Sequence, residues 1–465
     1  MKKTIIEIKK LTGNSPDIVY KEYSINNTIF TIIYSKSVTN SSYINDFILR
    51  ALNNKNIEEP YHYIKYKVPN NNIKEINNNE IITYLYSGFT IIIFDKNKIL
   101  ALENKATLTS SINKSEVEKS VKGPNDAFTE NYESNIGMIR RRIKSKDLWL
   151  KEMKVGSESN TTVGLLYMNN ICDINMVKKL EEQIKNIDIK YVGNSNYIIE
   201  AISNTNRFIL PTTLTTQRPD YASLLLMEGR IILLVENSNE AIVLPCLFLD
   251  FFKNPEDYYE KSLNVVLSRI IRFISFFLTI LTPAIYIALM AFNWESLPSN
   301  LLINFSIQRD GVPFSSVFEI IVMNTIFQIL KECDLKFPGS GSSAISILGG
   351  LVLGQAAVEA GIVSPITIIV VGISAVCSLC FSSIELINSI RYWQLFLIIL
   401  SALFGFAGVL IGLLIILATL VSQSSLGVDY FSPFEPFSLK KQEDAIITTK
   451  KSKFNPINIF KGDKK

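Results

Sequence analysis

RFISFFLTILTPAIYIALMAFNW (272–294) carries no charge after Arg272. As a helix rising about 1.5 Å per residue it would cross a hydrocarbon core of roughly 30 Å. A second run, QLFLIILSALFGFAGVLIGLLIILATLV (394–421), passes the same test. Residues 1–265 read instead as a soluble protein rich in Asn, Lys and Ile. The fold class is therefore a split one. A polar N-terminal region comes first and an α-helical transmembrane domain follows it.

The N-terminus, MKKTIIEIKK, alternates charged and apolar residues and lacks the apolar centre of a signal peptide. The soluble part is expected on the cytoplasmic side. Arg269 and Arg272 ahead of the first span agree, as do Lys440, Lys441, Lys450, Lys451 and Lys453 after the last. A formal net charge of +4 is too small to argue for nucleic acid.

The soluble part reads as a duplicated α/β unit. A strand at TIFTIIYS (28–35), a helical stretch at YINDFILRALNN (43–54) and a hairpin at SGFTIIIFDKNKILALE (87–103) form one copy. TTVGLLYM (161–168), DINMVKKLEEQIKNI (173–187) and EGRIILLVENSNEAIVLPC (228–246) repeat that order. Gly88 and Gly229 hold the same place. Asp95-Lys96-Asn97 and Glu236-Asn237-Ser238-Asn239 supply the turns. The expected boundaries are 1–110 for the first α/β subdomain, 111–160 for a helical linker and 161–265 for the second subdomain. A transmembrane domain over 266–425 and a cytoplasmic tail over 426–465 complete the chain.

Within the linker, Pro124 is expected to open a helix with Asn125 and Asp126 in its first turn. Phe128, Tyr132, Ile136, Ile139 and Ile143 recur at helical spacing along it. Arg140, Arg141 and Arg142 then form either a docking surface for another subunit or anionic lipid, or the solvated face of a linker. Arg218 and Asp220, candidate subunit-interface residues together with the three arginines, form either a functional pair or a surface pair, with Asp220 placed to cap the following helix.

Spans are expected at 272–293, 343–360, 364–382 and 394–421. The mixed stretch FSSVFEIIVMNTIFQILKE (314–332) is interrupted by Glu319, Asn324 and Gln328, and reads as re-entrant or interfacial. KFPGSGSS (336–343) breaks the chain after it.

Catalytic signatures are missing. The single histidine, His62, excludes the metal and triad sites built on several histidines. Gly339-Ser340-Gly341 with Ala344 has no strand before it and is not a dinucleotide loop. Cys172, Cys246, Cys333, Cys377 and Cys380 form no disulfide framework. The Cys377/Cys380 pair sits in an apolar helix as small hydrophobes. No enzyme, cofactor or metal is expected.

The residues with more to say lie in GGLVLGQAAVEAGIVSP (349–365). Leu348, Leu351, Gln355 and Glu359 fall on one helix face. Gly350 and Gly354 make a GxxxG, with Ala356 and Ala357 adding small positions. Small residues let helices approach closely in a bilayer, and an intramembrane carboxylate usually faces protein or water. These six, Gly350, Gly354, Gln355, Ala356, Ala357 and Glu359, are the candidate pore or helix-packing residues.

In order along the chain, the sequence resembles the A subunit of the GerA family of spore germinant receptors. The pieces are Gly123-Pro124 with Phe128 and Glu130, Ile139 to Lys144, Arg218-Pro219-Asp220 and Glu228-Gly229-Arg230. Glu256-Asp257-Tyr258-Tyr259, Gly311-Val312-Pro313-Phe314 and Gly349 to Ala360 follow. Asn125-Asp126-Ala127, Gln217, Gln328 and Cys333-Asp334 depart from that pattern, so charge pairing is not carried over to Asn125, Gln217 or Gln328. The resemblance implies residence in the spore inner membrane with both termini toward the core. It also implies a permease-like, nutrient-binding B subunit, a lipoprotein C subunit, a homo-oligomer and a cation path opened by nutrient. A secondary transporter acting alone is the alternative, but the repeat visible here is soluble and the spans are few for a carrier.

Overall fold

The computed structural model describes residues 2–25, 28–50, 59–70, 72–95, 98–106, 118, 122–202, 210–334 and 342–434. Side chains at 334, 342–348 and 351 are not described. Lys96 and Asn97 of the first turn, residues 51–54, most of the 336–343 break including Gly339 to Gly341, and the tail lysines lie outside these ranges. The side chains of Ala344, Leu348 and Leu351 do too.

Each half of the soluble part is a five-stranded antiparallel sheet. The first contains β1 (Ile18–Ile25), β2 (Thr28–Ser35), β3 (Ile73–Glu75), β4 (Phe89–Phe94) and β5 (Ile99–Glu103), in the order β1-β2-β4-β5-β3. The second contains β6 (Leu148–Val155), β7 (Thr161–Met168), β8 (Leu214–Thr216), β9 (Ile231–Val235) and β10 (Ala241–Leu244), in the order β6-β7-β9-β10-β8. The two orders are the same, so the repeat extends beyond the hairpins to the whole sheet.

Alternation along the strands explains why helices cover both faces. Phe30, Ile32, Ile92 and Phe94 point to one face of the first sheet, where Ile44, Ile48 and Ile64 close over them. Ile33, Ile91 and Ile93 point to the other, under Ile8 of α1 (Lys2–Leu11) and Ile81 and Leu85 of α3 (Ile81–Tyr86). Ile64 belongs to α2 (Pro60–Lys67). Gly88 and Gly229 end the helices before β4 and β9 with φ of 85° and 94°, a left-handed conformation that favours glycine.

Three expectations need correction. β6 begins at Leu148 and pairs along its length with β7, so the second unit starts inside the expected 111–160 linker. The helix there, α4 (Tyr132–Arg142), starts at Tyr132 and not at Pro124. Asn131 caps it by accepting from the Ser134 amide. Asp220 does not cap α7 (Pro219–Met227). The N-cap residue is Arg218, and the Asp220 carboxylate is taken by that arginine's side chain. α5 (Ile174–Lys185) and α6 (Ser195–Ile202) complete the second unit.

The helical bundle has α8 (Ser262–Ala291), α9 (Ser299–Arg309), α10 (Ser316–Asp334), α11 (Ser342–Glu359), α12 (Pro365–Ser378) and α13 (Ile384–Ser422). α8 and α13 are long and apolar enough to cross a membrane by length and composition. α13 is not straight. Gly405 has φ 56° and ψ −135°, and the chain reverses there. A Cβ on Gly412 would lie 2.2 Å from Leu397, and one on Gly408 would lie 2.0 Å from the Leu400 carbonyl oxygen. Residues fifteen apart along an unbroken helix would be separated by about 22 Å. Halves 384–404 and 406–422 are therefore antiparallel.

Hydrogen bonds fix the direction of the other helices. Asp257 below α8 binds Arg272, while Phe292 after α8 meets Gly405 at the far end. In α10, Glu319 reaches Ser364 at the far end and Lys331 reaches Ser378 at the near end. α12 returns from Thr367 beside Tyr286 to Ser374 beside the Thr279 carbonyl. α11 fills the remaining direction, with Gly349 against Leu330 and Gly361 opposite Gly311.

Six helical segments thus run the length of the bundle among the described residues, namely α8, α10, α11, α12 and the two halves of α13. This differs from four spans plus a re-entrant 314–332. α10 runs through, and two of the three polar groups that suggested an interface, Glu319 and Asn324, find partners inside the protein. Glu319 accepts from Ser364 and Thr367, and Asn324 donates to Gln394. The expected 394–421 span divides because a left-handed glycine lies within it.

Candidate functional site

The buried arginines are the first departure from the sequence reading. Arg140 is fully buried. Its Nη2 and Nε donate to Asp17 at 3.1 and 3.2 Å, its Nη1 to the Leu148 carbonyl at 2.6 Å, and its Nη2 to Ser15 at 2.9 Å. The guanidinium also lies 4.4 Å from the Tyr86 ring centroid. Ser15, Asp17 and Tyr86 belong to the first unit and Leu148 to the second, so Arg140 joins the two units and is no docking surface. Arg141 is exposed, and Arg142 pairs with Asp126. The three arginines point in different directions, as consecutive helical residues must.

Arg218 is also internal. It donates to Asp220 at 2.7 and 3.1 Å and to the Pro124 carbonyl at 3.1 Å, and Tyr259 donates to the same carboxylate at 2.6 Å. The short motifs around these residues thus meet in space. Arg230 donates to both oxygens of Asp250 at 2.6 and 2.8 Å and to Glu228 at 3.1 Å. Burial acts to raise the Asp250 carboxyl, but Arg230 and Lys253 outweigh it and hold it well below the usual carboxylate range. Asp257 accepts from Arg269 at 3.2 Å and from Arg272 at 2.7 and 2.8 Å. Arg269 and Arg272, read from the sequence as topology signals, therefore also clamp α8 to the second unit.

Aromatic packing seals the same junction. Phe248 lies 5.5 Å from Phe276 and 6.1 Å from Tyr430 between centroids. Tyr430 donates to the Pro211 carbonyl at 2.7 Å. The core of the second unit continues through these rings into Trp393, Leu397, Val409 and Ile416 of α13. The second unit is thereby joined to the bundle through packed side chains. Sequence reasoning missed this site. Its signal was the set of acid and arginine residues in the motifs that carry the family resemblance.

Beside the junction, Glu118 accepts from Thr216 at 2.7 Å and from the Gln217 amide at 2.9 Å. Burial nevertheless pushes its carboxyl up to about 7.

α11 carries the six candidate pore or packing residues, and the structure divides them. Gly354 is buried, and a Cβ there would lie 3.2 Å from Ile368 of α12. A Cβ on Gly350 would lie 3.2 Å from Phe327 of α10. The GxxxG is thus used within the chain. Gln355, Ala356 and Glu359 are exposed and Ala357 is half-buried. Gln355 Nε2 donates to Glu359 Oε1 at 3.1 Å. Val352 and Leu353 beside them are exposed as well.

No cluster of metal-binding side chains occurs among the described residues. His62 is exposed, 3.4 Å from Glu59.

Two repeated α/β units clamped to a helical bundle, two of whose helices are long and apolar enough to cross a membrane, define the class: a paired α/β module built directly onto an apolar helical one. The chain belongs to the Bacillus/Clostridium GerA spore germination protein family, which matches residues 6–456, and is a germinant receptor A subunit. It is 34% identical over 454 residues to spore germination protein KA of Bacillus subtilis (strain 168), covering 96% of this chain and 84% of that one. Spore germination protein GerQA of Bacillus cereus is 30% identical over 450 residues, covering 96% and 90%. The crystal structure of the N-terminal domain of the A subunit of the Bacillus megaterium spore germinant receptor GerK3 is 30% identical. It covers 52% of this chain and 94% of that chain, with a TM-score of 0.41.

Proposed function

We propose that this chain is the membrane subunit of a nutrient germinant receptor and triggers spore germination by assembling with copies of itself into a ligand-gated cation path. The observation that carries the reading is the outward face of α11. Gln355 and Glu359 are hydrogen-bonded to each other there and exposed, beside exposed Ala356, Val352 and Leu353. A carboxylate facing lipid is costly, so this face meets water or another subunit. Small residues beside it suit close approach.

The bundle is read as crossing the spore inner membrane. The soluble units and the chain up to residue 434 meet at its near end, which supports both termini facing the spore core. Membership of the A-subunit family supports a permease-like B subunit and a lipoprotein C subunit as partners. Nutrient binding would reach α11 through the clamped junction.

Assembly is tested by Ala356→Cys in a chain whose Cys333, Cys377 and Cys380 are replaced by serine. Mild oxidation of membranes should give cross-linked dimers of the chain. Leu414→Cys, exposed on α13, should not. Equal cross-linking at the two positions would contradict the assignment of the α11 face to a subunit contact.

A further inference from the structure

A polar cavity of about 170 Å³ lies between the second α/β unit and the hairpin that follows the last helix, and no residue of α11 lines it. The hairpin is β11 (Ser424–Ser425) and β12 (Val428–Asp429). A water needs about 10–15 Å³ of such space, so the cavity suits a molecule of several heavy atoms. Lys179 and Gln183 stand one turn apart on α5 and share a face toward it. Gln423 approaches from the other side, directly after the end of α13.

The hairpin is fixed by its own contacts. Ser425 Oγ donates to the Thr212 carbonyl at 2.9 Å and accepts from the Cys246 amide at 3.1 Å. The Gln423 carbonyl accepts from the Tyr430 amide at 3.0 Å. Leu426 and Val428 pack against the core of the second unit. Gln423 is thereby held in place at 2% exposure. Yet both Oε1 and Nε2 of its side chain are buried without a hydrogen-bond partner. Gln183 Oε1 is buried and unpaired in the wall of the same cavity.

Buried amide atoms are normally bonded, because leaving one bare forfeits its hydration. The unused capacity here is specific in kind. It consists of two acceptors and one donor. Their complement is a group with two N–H bonds beside one acceptor, which is a primary carboxamide. The charge is specific as well. Lys179 lines the cavity, and no Asp or Glu is among its described lining residues. A carboxylate on the same molecule would therefore find a charged donor.

We propose that this cavity binds a small carboxamide that carries an acidic group at its far end. The amide nitrogen donates to Gln423 Oε1 and Gln183 Oε1, the amide carbonyl accepts from Gln423 Nε2, and the carboxylate pairs with Lys179 at the rim. The bound molecule ties α5 to the hairpin that leaves α13, and so stiffens the seam between the second unit and the bundle.

The test uses the purified full chain in a neutral detergent, with succinamate, propionamide and succinate as probes at millimolar concentration. A ligand of the folded state raises the melting midpoint. Succinamate should raise it by several degrees. Propionamide, which lacks the carboxylate, should raise it less, and succinate, which lacks the N–H bonds, should not raise it. Lys179→Met should reduce the succinamate response to that of propionamide. Gln423→Met keeps the length of the side chain and removes both unpaired atoms. Its midpoint without probe should equal or exceed the parent's, and its response to both amides should be lost. Gln183→Met, on a surface helix, guards against misfolding of that variant and should weaken the apparent affinity for succinamate at least tenfold. No response of the parent to either amide, the result expected if water alone fills the cavity, would overturn the proposal. So would a succinate response equal to that of succinamate, or succinamate responses of Gln423→Met and Gln183→Met equal to the parent's.

Discussion

Gly405→Val should abolish the native bundle. At φ 56° and ψ −135° a residue with a side chain is strained, at about 1–3 kcal/mol for the backbone alone. A Cβ there would also lie 2.9 Å from Phe292, inside ordinary contact. The larger penalty is topological. An unbroken helix over 384–422 would be about 58 Å long, near twice the hydrocarbon thickness. It would carry Val409, Ile416 and Leu420 away from the core they share with Phe276 and Tyr430. Size-exclusion chromatography of the full chain in detergent should show loss of the monodisperse peak for Gly405→Val. A parental peak and melting midpoint would refute the hairpin.

Arg230→Met should be the most destabilising single change in the soluble part. It leaves Asp250 and Glu228 buried without the guanidinium that bonds both. Breaking a buried pair by removing one partner costs about 3–5 kcal/mol, because a charge is stranded. Lys253, 3.3 Å from Asp250, offsets part of this. Arg230→Lys should recover only part of the loss, since an ammonium lacks the planar fork that bonds both Asp250 oxygens. Acid should reproduce the effect late. The Asp250 carboxyl is depressed in the folded chain, so its contribution is present above its unfolded value of about 3.9 and lost only as pH falls toward the folded one. Melting curves at neutral pH test the substitutions. Equal midpoints for Arg230→Met and the parent would show that the junction does not depend on this cluster.

The soluble fold was largely legible because alternation and turn residues are local. TIFTIIYS and EGRIILLVENSNEAIVLPC announce strands and a hairpin without tertiary information. β6 escaped because LWLKEMKV (148–155) is an edge strand with mixed burial, and its lysines disguise the alternation. The arginines were misread for a related reason. Arg140 looks solvated in sequence, yet the fold brings it Asp17 from the turn ahead of β1, and the Arg218–Asp220 pair, legible in sequence, is buried where a surface pair was the alternative.

In the bundle, hydropathy located the apolar runs but not their number. The 394–421 run is continuous in composition, and only the backbone of Gly405 divides it. The α11 residues were found by their chemistry, while their separation into inward glycines and an outward Gln355–Glu359 pair required the neighbouring helices.

The central claim is that Glu359 lines a cation path formed between copies of this chain. The most direct measurement is potassium release from spores carrying Glu359→Gln after nutrient addition, with receptor abundance matched by immunoblot. Acidic side chains ringing a pore favour cation entry, and the substitution removes the charge while keeping the size. The account predicts release slowed several-fold at unchanged receptor level. Release matching the parent in rate and cation preference would contradict it.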